Sequence, residues 1–423
     1  MKRLLTGSIG LALSLAVLSA TPAKADKLAD AYWTLSHPDG RSADDIAWAK
    51  AYIAANAPAP APASQPAPAP APQSGGMKVS SSTGLLTALM NAKGGETFVL
   101  APGSYSITLS SKSYAAPVAI TSADLSKPAV IGWLKLTNVS HIVFRNVEIA
   151  RKASNQTVTE ALKETLAKVS GGSNITFDYV HFHGSLDGDA TNDVSGIAIS
   201  GVSNLSITNS EFQETMRALQ LGANTGVLLA HNDIHNVRSD GFDLAQCSRV
   251  TIDGNWFHDF DRGSADHPDA IQFWTTNTTR ASTDIVIINN RIETRGGTGM
   301  QGIFLADQVG NLPYERVRIE NNIVIGKNMP NGIFPSHVNG LTVRYNTVVS
   351  PVDDANPVWI RVDRSTGISV TGNVADYFNG VSAAGNKSTK DSGIDLRLLT
   401  TAKLPTLTAA QLVVAGWGYQ PVP

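Results

Sequence analysis

An all-β solenoid, a single-stranded right-handed parallel β-helix with a short N-terminal helical module, is the fold that three observations in this 423-residue chain predict. The first is a recurring anchor: Asn146, Asn209, Asn232, Asn255, Asn290, Asn322, Asn346 and Asn373 each precede a short β-prone segment such as NDIHN, NWFHD or NTVVS, and Asp178 takes that role in DYVHF. From Asn209 to Asn373 the anchors lie 23, 23, 35, 32, 24 and 27 residues apart, a near-constant period with longer members that means coils carrying loop insertions. The second is the alternating segment ahead of each anchor (NLSIT, GVLLA, RVTID, DIVII, RVRIE, LTVRY), whose period of two reads as strand. The third is another strand after each anchor (ALQLG, GFDLA, AIQFW, GIFLA, GIFPS, VWIRV), with helical periodicity nearly missing from the coils. In such a coil every strand pairs with the coils above and below, which suits neither a sandwich nor a propeller.

From the N-terminus, Lys2 and Arg3 precede an apolar run to Leu18 and then Ala23-Lys24-Ala25, so residues 1–25 read as a signal peptide and the protein is expected in the periplasm or outside the cell. The run is too short for a membrane span. Residues 26–57 form a short helical module, with Ser42 as N-cap candidate and Trp48 and Tyr52 four apart. Residues 58–76 are a Pro/Ala-rich linker, an extended spacer. The catalytic domain is placed at 77–385, opening with a helix at 85–90 that covers the end of the solenoid, where an open sheet edge would otherwise be exposed. Residues 151–168 are helix-prone and expected to protrude as an insertion. An irregular tail, 386–423, is expected along the outside. One cysteine, Cys247, rules out an internal disulfide and reads as a small buried residue. A net charge of −2 without a Lys/Arg cluster argues against nucleic acid as a partner. A monomer is expected.

The chemistry gathers between Arg238 and Trp274. If equivalent positions stack about 4.8 Å apart, Leu219, Phe242, Ile271, Ile303 and Ile333 point inward, and Gln220, Asp243, Gln272, Phe304 and Phe334 form an outward row. Two residues before each inward position, Arg217, Asp240, Asp269, Gln301 and Asn331 form a second row, with Asp240 and Asp269 expected at a solvent-facing coil edge. Trp274 leaves on the outward side beyond Gln272. Polar rows beside an exposed indole describe a sugar site, because pyranose rings stack on aromatic faces while their hydroxyls need fixed polar partners. His235 and His258 follow their anchors by three, as His181 follows Asp178, and His267 is the imidazole nearest the acids in sequence. Each feature has a plain structural reading: Asp-Gly is ordinary turn chemistry, stacked Asn residues bond neighbouring backbone, and Asp187-Gly-Asp189 with Asn192 and Asp193 is an oxygen-rich turn with or without calcium.

GGETFVLAPGSY after a short helix is similar to the opening of parallel β-helix polysaccharide lyases, alginate lyases and chondroitinase B-like enzymes among them, over residues 77 to about 385. SDGFD, followed by VTIDGN and a later Asp, resembles the active-site segments of polygalacturonase-type glycoside hydrolases, which implies catalytic roles for Asp240 and Asp269. Pro268, Gln301, Phe334 and Ser336 depart from that family's pattern. DGFD also resembles the calcium segment of a pectate lyase family, making Asp240 and Asp243 metal ligands, without a counterpart for that family's Lys.

Two enzyme chemistries and one binding role follow for an expected polysaccharide substrate. Elimination at a uronate needs a neutralised carboxylate and a base: Ca²⁺ on Asp240, Asp243 and Asp269, Arg217, Arg238 or Arg295 on the substrate, and His267 as base, with Gln220, Gln272, Gln301 and Trp274 binding sugar. This lyase reading is the one the sequence favours. Hydrolysis needs only a general acid and a second carboxylate from Asp240, Asp243 and Asp269. A non-catalytic glycan-binding β-helix is the third.

Overall fold

The structure is a computed structural model that describes residues 47, 75–151, 164–263, 266–329, 331–414 and 416–420. The chain divides into two compact units, Met1–Pro60 and Ala61–Pro423. The expected signal peptide, the helical module apart from residue 47, which is helical, and nearly all of the linker lie outside the described residues, so the architecture below is that of the second unit.

Every named strand pairing is parallel, and each coil contributes three short strands. One face stacks Ser195–Ser200, Leu219–Gly222, Phe242–Ala245, Asp269–Trp274, Gln301–Ala306, Asn331–Ser336 and Trp359–Arg361. A second stacks Ser203–Thr208, Thr225–Ala230, Ser248–Asp253, Thr283–Ile288, Tyr314–Glu320, Val338–Arg344 and Thr366–Thr371. The third uses three-residue strands, among them Glu148–Ala150, His181–His183, Glu211–Gln213, Asp233–His235, Trp256–His258 and Arg291–Glu293. Alternation sends every second residue inward, and the enclosed core includes stacked Phe144 and Phe177 (5.2 Å) and stacked Phe182 and Phe212 (4.6 Å).

The chain turns from the second face to the third through a left-handed residue in each coil: Asn146, Tyr179, Asn209, His231, Gly254, Asn289, Asn321, Tyr345 and Gly372 all have φ between 50° and 71°. The next position carries the asparagine ladder. Each backbone N–H of Asn232, Asn255, Asn290, Asn322, Asn346 and Asn373 donates to the side-chain Oδ1 one coil on, at 2.9–3.0 Å, and the ladder ends on Asn386. Asn146 and Asn209 therefore sit one residue earlier than the ladder, and Asp178 two. Ser210 takes the ladder position in the Asn209 coil, donating its N–H to Asn232 Oδ1.

The covering helix, α1, runs Ser82–Asn91, longer than expected because Ser81 caps it by accepting from Gly84 N. Leu85 and Leu89, four apart, are fully buried against the first coils. At the GGE turn, Gly94 has φ +132°, and a Cβ there would meet the Ala116 backbone, so only glycine fits. The expected protrusion at 151–168 is corrected at its end. Thr165–Lys168 belong to the strand Thr165–Asp178, where pairing with Val130–Arg145 and Ser195–Ser200 overrides helical propensity; residues 152–163 lie outside the described ones. The tail does pack on the outside: Leu399, Leu404, Leu407 and Leu412 cover Ile323, Ile325, Val349 and Val374, where the third face turns apolar. Among the described residues no helix is long and apolar enough to cross a membrane.

Candidate functional site

The first face carries both rows in the expected register. Gln220 aligns with Asp243, Asp243 with Gln272, Gln272 with Phe304, and Phe304 with Phe334; in the second row Asp269 aligns with Gln301. Between the second row and the inward residue each coil has Gly or Ala, because coils approach closely there. A Cβ on Gly241 would stand 2.5 Å from the Ala270 carbonyl oxygen. That small residue lets Asp240 and Asp269 lie against the adjoining backbone, and the Asp269 N–H donates to Asp240 Oδ1 at 3.1 Å.

Arg217, Asp240, Asp243, Asp269, Gln272 and Trp274 come together. The Arg217 Nε lies 3.2 Å from Asp240 Oδ2 and 3.3 Å from Asp243 Oδ2, bridging two carboxylates with one guanidinium. Gln272 Nε2 donates to Asp269 Oδ2 at 2.7 Å, and Ser239 Oγ lies 3.4 Å from Asp240 Oδ2. The expectation of solvent-facing acids is corrected: Asp240, Asp243 and Asp269 are 5%, 3% and 1% exposed. Arg217, Gln272 and Trp274, all half-buried, share their surroundings with the exposed Gln220. Burial pushes the Asp243 carboxyl up to about 6, with Arg217 opposing and Asp240 adding to the rise. Burial also holds Asp269 well above the usual carboxylate range, reinforced by the charge of Asp240. The neutral, protonated form of Asp269 is therefore the one that this setting favours. Asp243 Oδ1, Asp269 Oδ1 and the Trp274 indole nitrogen are buried without a hydrogen bond of good geometry, yet the indole N–H lies close enough to Asp243 to favour its charged form.

The other expected members are elsewhere. His267 is exposed, and among the described residues no hydrogen bond or ion pair ties it to the carboxylates. Arg238 holds loops together, with Nε on Asp266 at 2.8 Å and Nη1 on the Thr191 carbonyl at 3.3 Å. Arg295, just past Arg291–Glu293, belongs to the third face, over the Trp256 ring at 5.1 Å and on the Pro405 carbonyl at 2.9 Å. Gln301 accepts from Asn331 Nδ2, one coil on in the same row. A calcium ion on Asp240, Asp243 and Asp269 would have to displace Arg217, the cation already between two of them. Among the described residues, the sets whose ligand atoms gather within 4.8 Å are Glu148–His181–His183 and Asp187–Asp193–Glu214. In the second set, Asp193 accepts from Ser185 N at 2.7 Å and Glu214 from Gly188 N at 3.1 Å, so these carboxylates cap turns of the 184–193 loop.

Sequence reasoning missed how far the outward row runs. Toward the N-terminus it continues through Ala198 to exposed Lys168 and Lys135. Toward the C-terminus, past the expected Phe304 and Phe334, which are half-buried and meet edge to face at 5.3 Å, it reaches Arg361, 4.6 Å over the Phe334 ring. Counting the register three coils back from Gln220 and one coil on from Phe334 would have found them. The histidine row was also misaligned. His183, not His181, aligns with Gln213, His235 and His258, while His181 aligns with Glu148, Glu211 and Asp233. The cause is the ladder register, which passes through Val180 rather than Asp178.

No curated protein matches this chain significantly. Among solved structures it is similar to an alginate lyase from Paenibacillus sp. strain FPU-7 (15% identity, 72% of this chain and 97% of that one, TM-score 0.41). It is similar also to the catalytic unit of a thermostable α-1,3-glucanase from Streptomyces thermodiastaticus (14%, 77% and 69%, 0.40) and to a surface adhesin of Streptococcus pneumoniae (11%, 74% and 93%, 0.42). A fold of this kind does not fix an activity, which has to be read from the site. A family model described as a right handed beta helix region matches residues 134–266 and 195–387, together more than half of the 423 residues, and the chain belongs to that family.

Proposed function

We propose that this chain is an exported enzyme that cleaves an acidic polysaccharide by hydrolysis at Asp240, Asp243 and Asp269. The observation that carries the reading is the difference in setting between neighbouring carboxyls: burial and the charge of Asp240 favour the protonated form of Asp269, while Asp240, to which the Asp269 backbone N–H donates, faces Arg217. Neighbouring carboxyls held in such different settings can divide acid and base roles. Asp269 then protonates the glycosidic oxygen, and Asp240 supplies the carboxylate that attacks the anomeric carbon or activates water. Arg217 provides the positive charge, so no metal is required. Trp274 offers a stacking face, Gln220 and Gln272 offer amides to hydroxyls, and Lys135, Lys168 and Arg361 along the outward row favour an anionic glycan. Exposed side chains such as Gln220 reorient within nanoseconds, the motion by which substrate would reach the buried acids. Export rests on the basic, apolar and small-residue order of residues 1–25.

Elimination needs a placed base and a free cation for the uronate, and these expected parts disperse: His267 is untied, and Arg238 and Arg295 are engaged elsewhere. A non-catalytic glycan-binding role is favoured by one observation, the near-complete burial of the three acids. Incubation with acidic and neutral polysaccharides, read by reducing-sugar release and by ultraviolet absorbance, tests the proposal. New reducing ends without ultraviolet-absorbing ends are expected on an acidic polymer. Absorbing ends would establish elimination, and binding without either signal would establish the non-catalytic role.

A further inference from the structure

The third face carries a second cluster that the acid site does not use. Strand alternation places His181 and His183 on one side of His181–His183, and Glu148 stands directly opposite His181 on the neighbouring strand. One ligand atom from each of the three lies within 4.8 Å of the others. We propose that Glu148, His181 and His183 form a binding site for a first-row transition-metal dication of the Zn²⁺ type.

Three features of the cluster point to a metal. His183 Nδ1 lies 2.9 Å from the Gly184 carbonyl, an arrangement in which Nδ1 carries the proton and Nε2 keeps its lone pair. This is the backbone orientation that metal-bound imidazoles commonly have. That Nε2 lies 3.6 Å from Glu148 Oε2, close to the roughly 3.3 Å that separates two tetrahedral ligands held at about 2.0–2.1 Å from zinc. His181 Nε2 is buried without a hydrogen bond of good geometry, although the Gln213 side chain comes close to the ring, and Glu211 Oε2 lies 3.8 Å away.

The contrast along the same face supports the assignment. His235 uses Nε2 on Glu211 and Nδ1 on Asn236, and His258 uses its two nitrogens on Asp233 and Asp259. Those rings have both nitrogens occupied, whereas His181 and His183 each keep an Nε2 open toward a carboxylate. Glu211, held by His235, stands beside the set as an outer-shell partner. Two imidazoles and one carboxylate suit Zn²⁺ or a similar ion and not Ca²⁺, which prefers an all-oxygen shell.

The test is calorimetric titration of the metal-stripped, untagged full chain with Zn²⁺, alongside Co²⁺ as a spectroscopic probe. One equivalent of Zn²⁺ is expected to bind, and Co²⁺ is expected to develop visible absorption that Zn²⁺ displaces. His183→Gln and Glu148→Gln are each expected to weaken Zn²⁺ binding by more than about tenfold, while His258→Gln on the same face leaves it unchanged. Circular dichroism identifies a variant that fails to fold, and Glu148→Gln, with its near-isosteric amide, keeps the test open if His183→Gln does fail. Zn²⁺ binding that survives both substitutions, no binding by the parent chain, or Ca²⁺ binding in place of Zn²⁺ would overturn the proposal. Hydrolysis at Asp240 and Asp269 does not depend on the outcome.

Discussion

A buried acid beside one that is ion-paired can be examined one side chain at a time. Asp269→Asn keeps the shape of the carboxyl and the neutrality that burial favours there, and removes only its transferable proton. Turnover should fall by about 10²–10⁴-fold with the melting temperature little changed; near-normal turnover would remove Asp269 from the chemistry. Asp243 makes a prediction about pH. Its folded pKa, about 6, lies above the ordinary value of 3.8, so its protonated form is favoured by folding. That contribution is whole below about pH 4 and is lost as pH rises through about 6, by roughly 1–3 kcal/mol. Denaturant titrations of the parent chain and Asp243→Asn across that window should show the decline in the parent and a flatter curve in the variant; parallel curves would mean that Asp243 is not so shifted. Trp274 is argued on binding. Stacking acts nearly equally on ground and transition states, so Trp274→Ala should raise KM with a smaller fall in kcat. A lower melting temperature with KM unchanged would make the indole a packing group.

At the scale of elements, the asparagine ladder is the clearest stabilising device. Asn290 accepts from both the backbone and the side chain of Asn255, and donates to Asn322 and to the Ile252 carbonyl, all in a buried corner. Asn290→Ala strands buried donors and acceptors on adjoining coils, at a cost of about 2–4 kcal/mol. Chemical denaturation should show that loss, and a change below about 0.5 kcal/mol would mean that water or backbone shifts replace the amide. The period of the ladder was legible because asparagine repeats, but its register was not. Asn146 and Asn209 are asparagines for another reason, the left-handed backbone that the preceding position requires. That one-residue offset is what misaligned His181. The outer leucines of the tail were equally hidden, since 3₁₀ turns at Thr401–Thr406 and Ala409–Leu412 leave no helical or strand period to read.

For the molecule as a whole, coil architecture followed from sequence because parallel stacking turns a repeat directly into register. The acid rows were located to the residue in this way. Their burial was not, because alternation tells which side of a strand a residue leaves and says nothing of what covers it. Long-range neighbours escaped for a related reason: the segment 152–163 interrupts the period, so the pairing of Glu148 with His181 could not be counted across it. The central claim is that these buried acids add water across a glycosidic bond. Mass spectrometry of oligosaccharides released from an acidic polysaccharide by the parent chain and by Asp269→Asn tests that claim most directly. The account predicts products that together carry one added water per bond cleaved, and almost none from the variant. Product masses that sum to the substrate without added water, or equal release by both proteins, would contradict it.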